Sequence, residues 1–160
     1  MRKTDNLCYD LCSYQAEIFS KSRNVLDCSS KMFLRRFFYS NFACRLDFNE
    51  FYTFSLDVDE CFNSIKSEFG DSTYGKVKLP EKVLHFIGYI SRYICYTREV
   101  TSLFFYHTFG VDYLIEKYSV LHTQSEEYVL QELLDVNGLS EDIFDQEKML
   151  KTILKRRQNY

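Results

Sequence analysis

His85, Tyr89, Arg92, Tyr96 and Glu99 recur at steps of four and three, the spacing that lines side chains along one face of a helix. As the wall of a pocket, such a set could hold an anion on Arg92 and carry a proton on His85 or Glu99. The same residue types also build buried hydrogen-bond networks that fix helix packing, and that structural role is the expectation for this stripe. Arg35 and Arg36 stand among Phe33, Phe37 and Phe38, which places at least one guanidinium near the core. A buried charge needs a partner, and an internal carboxylate such as Asp47 or Asp57 is the expected one; a bound anion or a partner's acidic side chain is the alternative. His122 lies in a Leu-His-Thr turn, where one ring nitrogen can bond a backbone carbonyl while Thr123 or Ser125 caps the next helix.

Other chemistries find little support. Cys8 and Cys12 are one helical turn apart and could offer two soft ligands, but no His or second Cys pair stands at a zinc-site spacing. All six cysteines, at 8, 12, 28, 44, 61 and 95, are expected as reduced thiols and mostly as small buried apolar residues, slow to alkylate in the folded chain. No cysteine has a neighbouring His, no serine sits in a nucleophile elbow, and no glycine-rich loop could cradle a phosphate. Catalysis, metal binding and a cofactor are therefore not indicated. The basic run from Lys148 to Arg157 could touch nucleic acid. Its acid-first, base-last order is that of a surface helix, and a pI near 5.6 argues against a general nucleic-acid binder.

The elements that must position these residues are helical. The chain has 160 residues, 46% of them hydrophobic, with a formal charge of −3, which is too apolar and too weakly charged for disorder. Fifteen Phe and 13 Tyr against one Pro and five Gly predict a bulky core and few backbone interruptions. Apolar periodicity predicts a first helix over Asn6–Val25, a second from Met32 toward Cys44, and a third capped by Ser55 and ended by Gly70, with an irregular aromatic stretch at 49–54. Pro80 suits the first turn of a helix over 81–97, whose Val83, Ile87, Ile90 and Ile94 form an apolar stripe opposite the polar-aromatic one. A helix apolar on two sides is central. Short helices follow around 101–109 and 111–118, then one capped by Ser125, and a last one from Ser140. The expectation is an all-α single domain over 1–160, of about six to eight helices with an aromatic-rich core and with 136–160 at its periphery. Neither a signal peptide nor an apolar membrane span is read in the sequence, so a soluble, cytoplasmic protein without membrane contact is expected.

The stretch Gly110-Val-Asp-Tyr-Leu-Ile-Glu-Lys-Tyr-Ser-Val-Leu-His-Thr-Gln-Ser-Glu-Glu-Tyr-Val-Leu130 resembles a small uncharacterised bacterial helical family. Its members carry a tyrosine-rich short helix, a Leu-His-Thr turn and an acidic helix, and are encoded next to a toxin resembling ADP-ribosyltransferases. The likeness lies within 101–136, and Gln124-Ser125 departs from the glycine expected there. The segments Ser29-Ser30-Lys-Met-Phe-Leu-Arg-Arg-Phe, Tyr74-Gly75-Lys76 and Gly88 to Thr97 are similar to longer uncharacterised proteins from the same kind of gene neighbourhood. No catalytic residue comes with either resemblance. What they imply is a non-catalytic protein that binds and neutralises a cognate toxin-like partner within a toxin–antitoxin or defence module, with exposed Tyr and Phe as anchors and Arg in support. Tyr118 and His122 fall in the shared motif. The alternatives are a small-molecule or nucleotide sensor or enzyme using the Arg92 stripe, and a module that self-associates as a homo-oligomer.

Overall fold

A computed structural model describes residues 1–48 and 57–158, with side chains through 156. The irregular aromatic stretch expected at 49–54 and the expected cap Ser55 lie outside the described residues. Among the described residues there are ten helices, eight of them seven residues or longer, and no strand.

Helix α1 (Asn6–Val25) has the expected bounds; Asp5 caps it by accepting from the Cys8 N–H at 2.9 Å. The second expected helix divides into α2 (Ser30–Tyr39) and α3 (Asn41–Asp47). Ser40 makes the break: its hydroxyl donates to the Phe37 carbonyl at 2.7 Å and accepts from the Ala43 N–H at 3.0 Å, ending one helix and capping the next. Asp57 caps α4 (Val58–Phe69), and Gly70, at φ 79°, closes it. Helix α5 (Glu81–Arg98) takes Pro80 as its N-cap residue, one position earlier than expected. Thr101 caps α6 (Ser102–Thr108), the expected helix over 111–118 divides into α7 (Asp112–Glu116) and α8 (Tyr118–Leu121), and Ser125 caps α9 (Glu126–Val136). The last helix, α10, runs from Asp142 to Gln158.

Helices α1 and α5 form the principal pair. They approach closely because Gly88 has no side chain: a Cβ there would lie 2.8 Å from the Gln15 carbonyl oxygen and 2.9 Å from the Ala16 Cα. Every residue from Ser91 to Arg98 is buried, so the C-terminal half of α5 is enclosed on all sides, as its two-sided pattern predicts. Around this pair Phe19, Phe33, Phe37, Phe38 and Phe42 are buried. Phe19 meets Phe37 and Phe38 edge to face, at 4.7 and 5.9 Å between centroids. Each buried Phe contributes about 1.5–3 kcal/mol, and such ring pairs add about 0.5–1.5 kcal/mol.

Five cysteines are buried, in line with the expectation that most are, and Cys44 is the exposed exception. Cys8 and Cys12 stand on successive turns of α1 as free, buried thiols, and no group of three or more metal-ligating side chains occurs among the described residues. None of the described helices is long and apolar enough to cross a membrane.

Candidate functional site

Arg92 is the centre of the largest buried polar network. It and Asp47 are each only 2% exposed, and their charges meet at 2.9 Å from Nη1 to Oδ1. The other two nitrogens also donate: Nε gives to the Gln15 Oε1 at 2.9 Å and Nη2 to the Ser102 hydroxyl at 2.7 Å. Ser102 closes the ring, donating to Asp47 through its hydroxyl at 2.7 Å and its backbone N–H at 2.8 Å. On the far side the Gln15 amide donates to the Gly88 carbonyl at 3.1 Å and to Ser91 at 2.9 Å. Burial works to lower the Arg92 pKa, but Asp47 outweighs it and the guanidinium is held even more firmly protonated. Asp47 thus belongs to Arg92, not to Arg35 or Arg36, while Asp57 is spent as a helix cap.

A second network joins α5, α9 and the start of α10. Arg98, buried at the end of α5, reaches Glu127 at 2.7 Å and Glu141 at 3.0 Å, and Tyr93 donates to Glu127 at 3.0 Å. The hydrogen bond and charge of Arg98 hold the Glu127 carboxyl below its usual range. Both carboxylates are about half exposed, so this cluster closes a seam at the surface where the Arg92 network fills the interior. Among the described residues no buried side-chain nitrogen or oxygen lacks a partner.

The five-residue stripe of α5 does not line one pocket. Arg92, Tyr96 and Glu99 border a cavity of about 340 Å³ between α3, α5 and α10, whereas His85 and Tyr89 border another of about 380 Å³ with Tyr118 and His122. His85 and Tyr89 lie in the first half of α5, Arg92 and Tyr96 in its second half, and Glu99 at its C-cap. In the first cavity the Tyr96 hydroxyl donates to Asp5 at 2.8 Å, and Glu99 forms an ion pair with Lys148 at 2.8 Å. Glu99 takes the left-handed conformation, φ 55°, as the C-cap of α5. In the second, the His122 and Tyr118 rings stack at 4.5 Å, and His122 Nδ1 bonds the Tyr118 carbonyl at 2.7 Å, the local role expected of it. Burial pushes the Tyr89 hydroxyl up to about 12, and His85 is exposed.

Arg35 and Arg36 depart from expectation. Their α2 face turns outward, while the neighbouring phenylalanines fill the core. Arg35 is exposed, 5.8 Å over the Tyr39 ring. Arg36 is half-buried and donates to the Gly70 carbonyl at 2.7 Å, which satisfies the end of α4.

Helix α10 was read only as a surface helix, and its orientation is the feature that sequence reasoning missed. Phe144 anchors its start, buried against Phe104 and Phe109 with centroids at 6.3 Å. Further along, Lys148, Lys151 and Lys155 turn toward the body: Lys148 to Glu99, and Lys151 and Lys155 to the Phe48 ring at 5.1 and 4.7 Å. The apolar side faces outward, with Met149, Leu150, Ile153 and Leu154 exposed by 66, 56, 46 and 58%. The pairs 149–150 and 153–154 mark an apolar stripe in the sequence; which way it points is decided by Phe144.

No family model, curated protein or solved structure matches the chain.

Proposed function

We propose that this chain is a non-catalytic helical binding protein whose partner docks on the outer face of α10. The observation that carries the reading is the inversion of that helix: its lysines face the body, and Met149, Leu150, Ile153 and Leu154 face solvent in one stripe. An exposed contiguous apolar face marks a contact surface, and burying each of these side chains would contribute about 1.5–3 kcal/mol before the cost of association. The anchors are aliphatic side chains on one helix, in place of the exposed Tyr and Phe expected for a toxin-binding protein. Four side chains fall short of the roughly 800 Å² that a stable complex covers per partner, so the contact extends onto the flanking cations, Arg156 among them. The matching surface is an apolar groove bordered by carboxylates, which takes an amphipathic helix by its i, i+3 and i+4 anchors.

In the finer reading, which rests on the family resemblance, the groove belongs to a toxin-like protein encoded beside this chain, and docking neutralises it. Arg92 supports a binding role over an enzymatic one, because each of its three nitrogens donates to a side chain inside the fold. The test is co-expression of the chain, wild type or Leu150→Glu/Leu154→Glu, with the neighbouring toxin-like protein. Wild type is expected to relieve growth arrest and to co-elute as a stoichiometric complex; the variant, equally folded, is expected to do neither. Equal rescue by the variant would move the contact off α10. A wild-type chain that is dimeric alone and monomeric in the variant would assign the stripe to self-association.

A further inference from the structure

The cavity beside Arg92 has a charge balance unlike that of the network beneath it. Its walls carry five cations and two carboxylates. Asp47 is taken by Arg92 and Glu99 by Lys148, which leaves Arg2, Lys151 and Lys155. Among the described residues none of these three forms an ion pair with a carboxylate. The Arg2 guanidinium carbon lies over the Tyr96 ring, 4.0 Å from its centroid, and the Arg2 backbone N–H donates to the Thr97 carbonyl at 2.7 Å. Lys151 is half-buried; its ammonium donates to the Glu99 carbonyl at 3.4 Å, and Lys155 stands beside it over Phe48. Three cations from two segments far apart in sequence therefore converge on a space of about 340 Å³, within the size range of small-molecule sites.

We propose that this cavity binds a small phosphate-bearing polyanion, a pyrophosphoryl group either free or as part of a nucleotide, held by Arg2, Lys151 and Lys155. Its volume excludes a folded macromolecule, and three cations outside any ion pair among the described residues suit a pyrophosphoryl group better than a monoanion. Lysines serve as point charges for phosphate oxygens, and the planar Arg2 guanidinium, lying over Tyr96, offers paired N–H donors. Burial pushes the Lys151 ammonium below its ordinary pKa range, and an anion beside it would offset that burial. This site is independent of partner docking, because it uses the opposite face of α10.

Calorimetric titration of the full chain at neutral pH and low salt tests the site, with inorganic pyrophosphate, ADP and citrate as probes. Wild type is expected to bind pyrophosphate, with affinity falling as salt rises. Lys151→Gln/Lys155→Gln and, separately, Arg2→Gln should each weaken it at least tenfold while the circular-dichroism spectrum stays helical. Tighter binding of ADP than of pyrophosphate would identify a nucleotide, and equal binding the pyrophosphoryl group alone. No binding of either phosphate at millimolar concentration, citrate binding more tightly than both, or a folded Arg2→Gln chain that binds like wild type would each overturn the proposal.

Discussion

Arg92 and Lys151 border the same cavity and meet opposite circumstances. Arg92 comes from the enclosed half of α5 and is surrounded by Asp47, Ser102 and Gln15 at hydrogen-bond distance. Lys151 comes from α10, donates only to a backbone carbonyl at 3.4 Å, and lies over an aromatic ring. The interior spends its polar groups on one another; the α10 side pairs Lys148 with Glu99 but leaves Lys151 and Lys155 outside any ion pair among the described residues and its apolar stripe exposed. That contrast separates what holds the fold from what the fold leaves exposed.

Arg92→Ala should produce the largest change. It leaves the Asp47 carboxylate without its cation and Gln15 Oε1 without its donor, at an expected cost of about 3–5 kcal/mol. Against a typical stability of about 5–15 kcal/mol, much of the fold would be lost. Equilibrium urea unfolding at matched concentration reads this directly, and a loss below about 1 kcal/mol would break the contrast, since an arginine so cheaply removed would be held for a ligand.

Next comes Gly88→Ala, which probes the α1–α5 contact that encloses Arg92. The added methyl meets α1 backbone, which cannot rotate away, so a loss of about 1–3 kcal/mol is expected by thermal or urea unfolding. An unchanged midpoint would mean that the two helices pack less tightly than their separation implies.

The sequence already made much of the enclosed region legible. Leu7, Leu11, Tyr14 and Ile18 mark α1 over its observed length, Gly70 and Ser125 stop and start helices where expected, and the two-sided pattern of α5 corresponds to a buried helix. The break at Ser40 was not legible: it comes without Gly or Pro, and helix-compatible residues run on both sides of it. Nor was the partner of Arg92. Asp47 lies 45 residues away, and pairing at that distance is decided by how α3 docks beside α5, which local spacing does not encode. Some missed residues did leave a signal. Gln15 interrupts the apolar face of α1, and Arg98 continues the line of Ile90 and Ile94, so each is a polar group in a buried row that needs a partner. For Arg2 and the α10 lysines there was none, because surface cations look alike until the fold brings them together.

A smaller effect belongs to the seam around Arg98. Arg98→Met should cost about 1–2 kcal/mol, less than Arg92→Ala because Glu127 and Glu141 can return to water. It should also change the pH dependence. The folded Glu127 pKa is depressed, so its contribution is complete above the ordinary glutamate pKa of about 4.3 and is lost as pH falls through the lower folded value. Wild type should therefore lose more stability than Arg98→Met as the solution is taken from pH 5 to pH 3, which a series of urea titrations would register. Parallel curves would remove Arg98 from the cause.

The smallest effect is the most telling. Leu150→Glu/Leu154→Glu places two charges on side chains already 56% and 58% exposed, so the isolated chain should unfold within about 0.5 kcal/mol of wild type. Equilibrium urea unfolding of this variant beside wild type and Arg92→Ala is the direct measure of whether the outer face of α10 serves the fold or a partner. Coincident curves for wild type and the α10 variant, with Arg92→Ala displaced by several kcal/mol, are the result expected. A loss of about 2 kcal/mol or more in the α10 variant would contradict it, by showing that Leu150 and Leu154 pack against the chain itself.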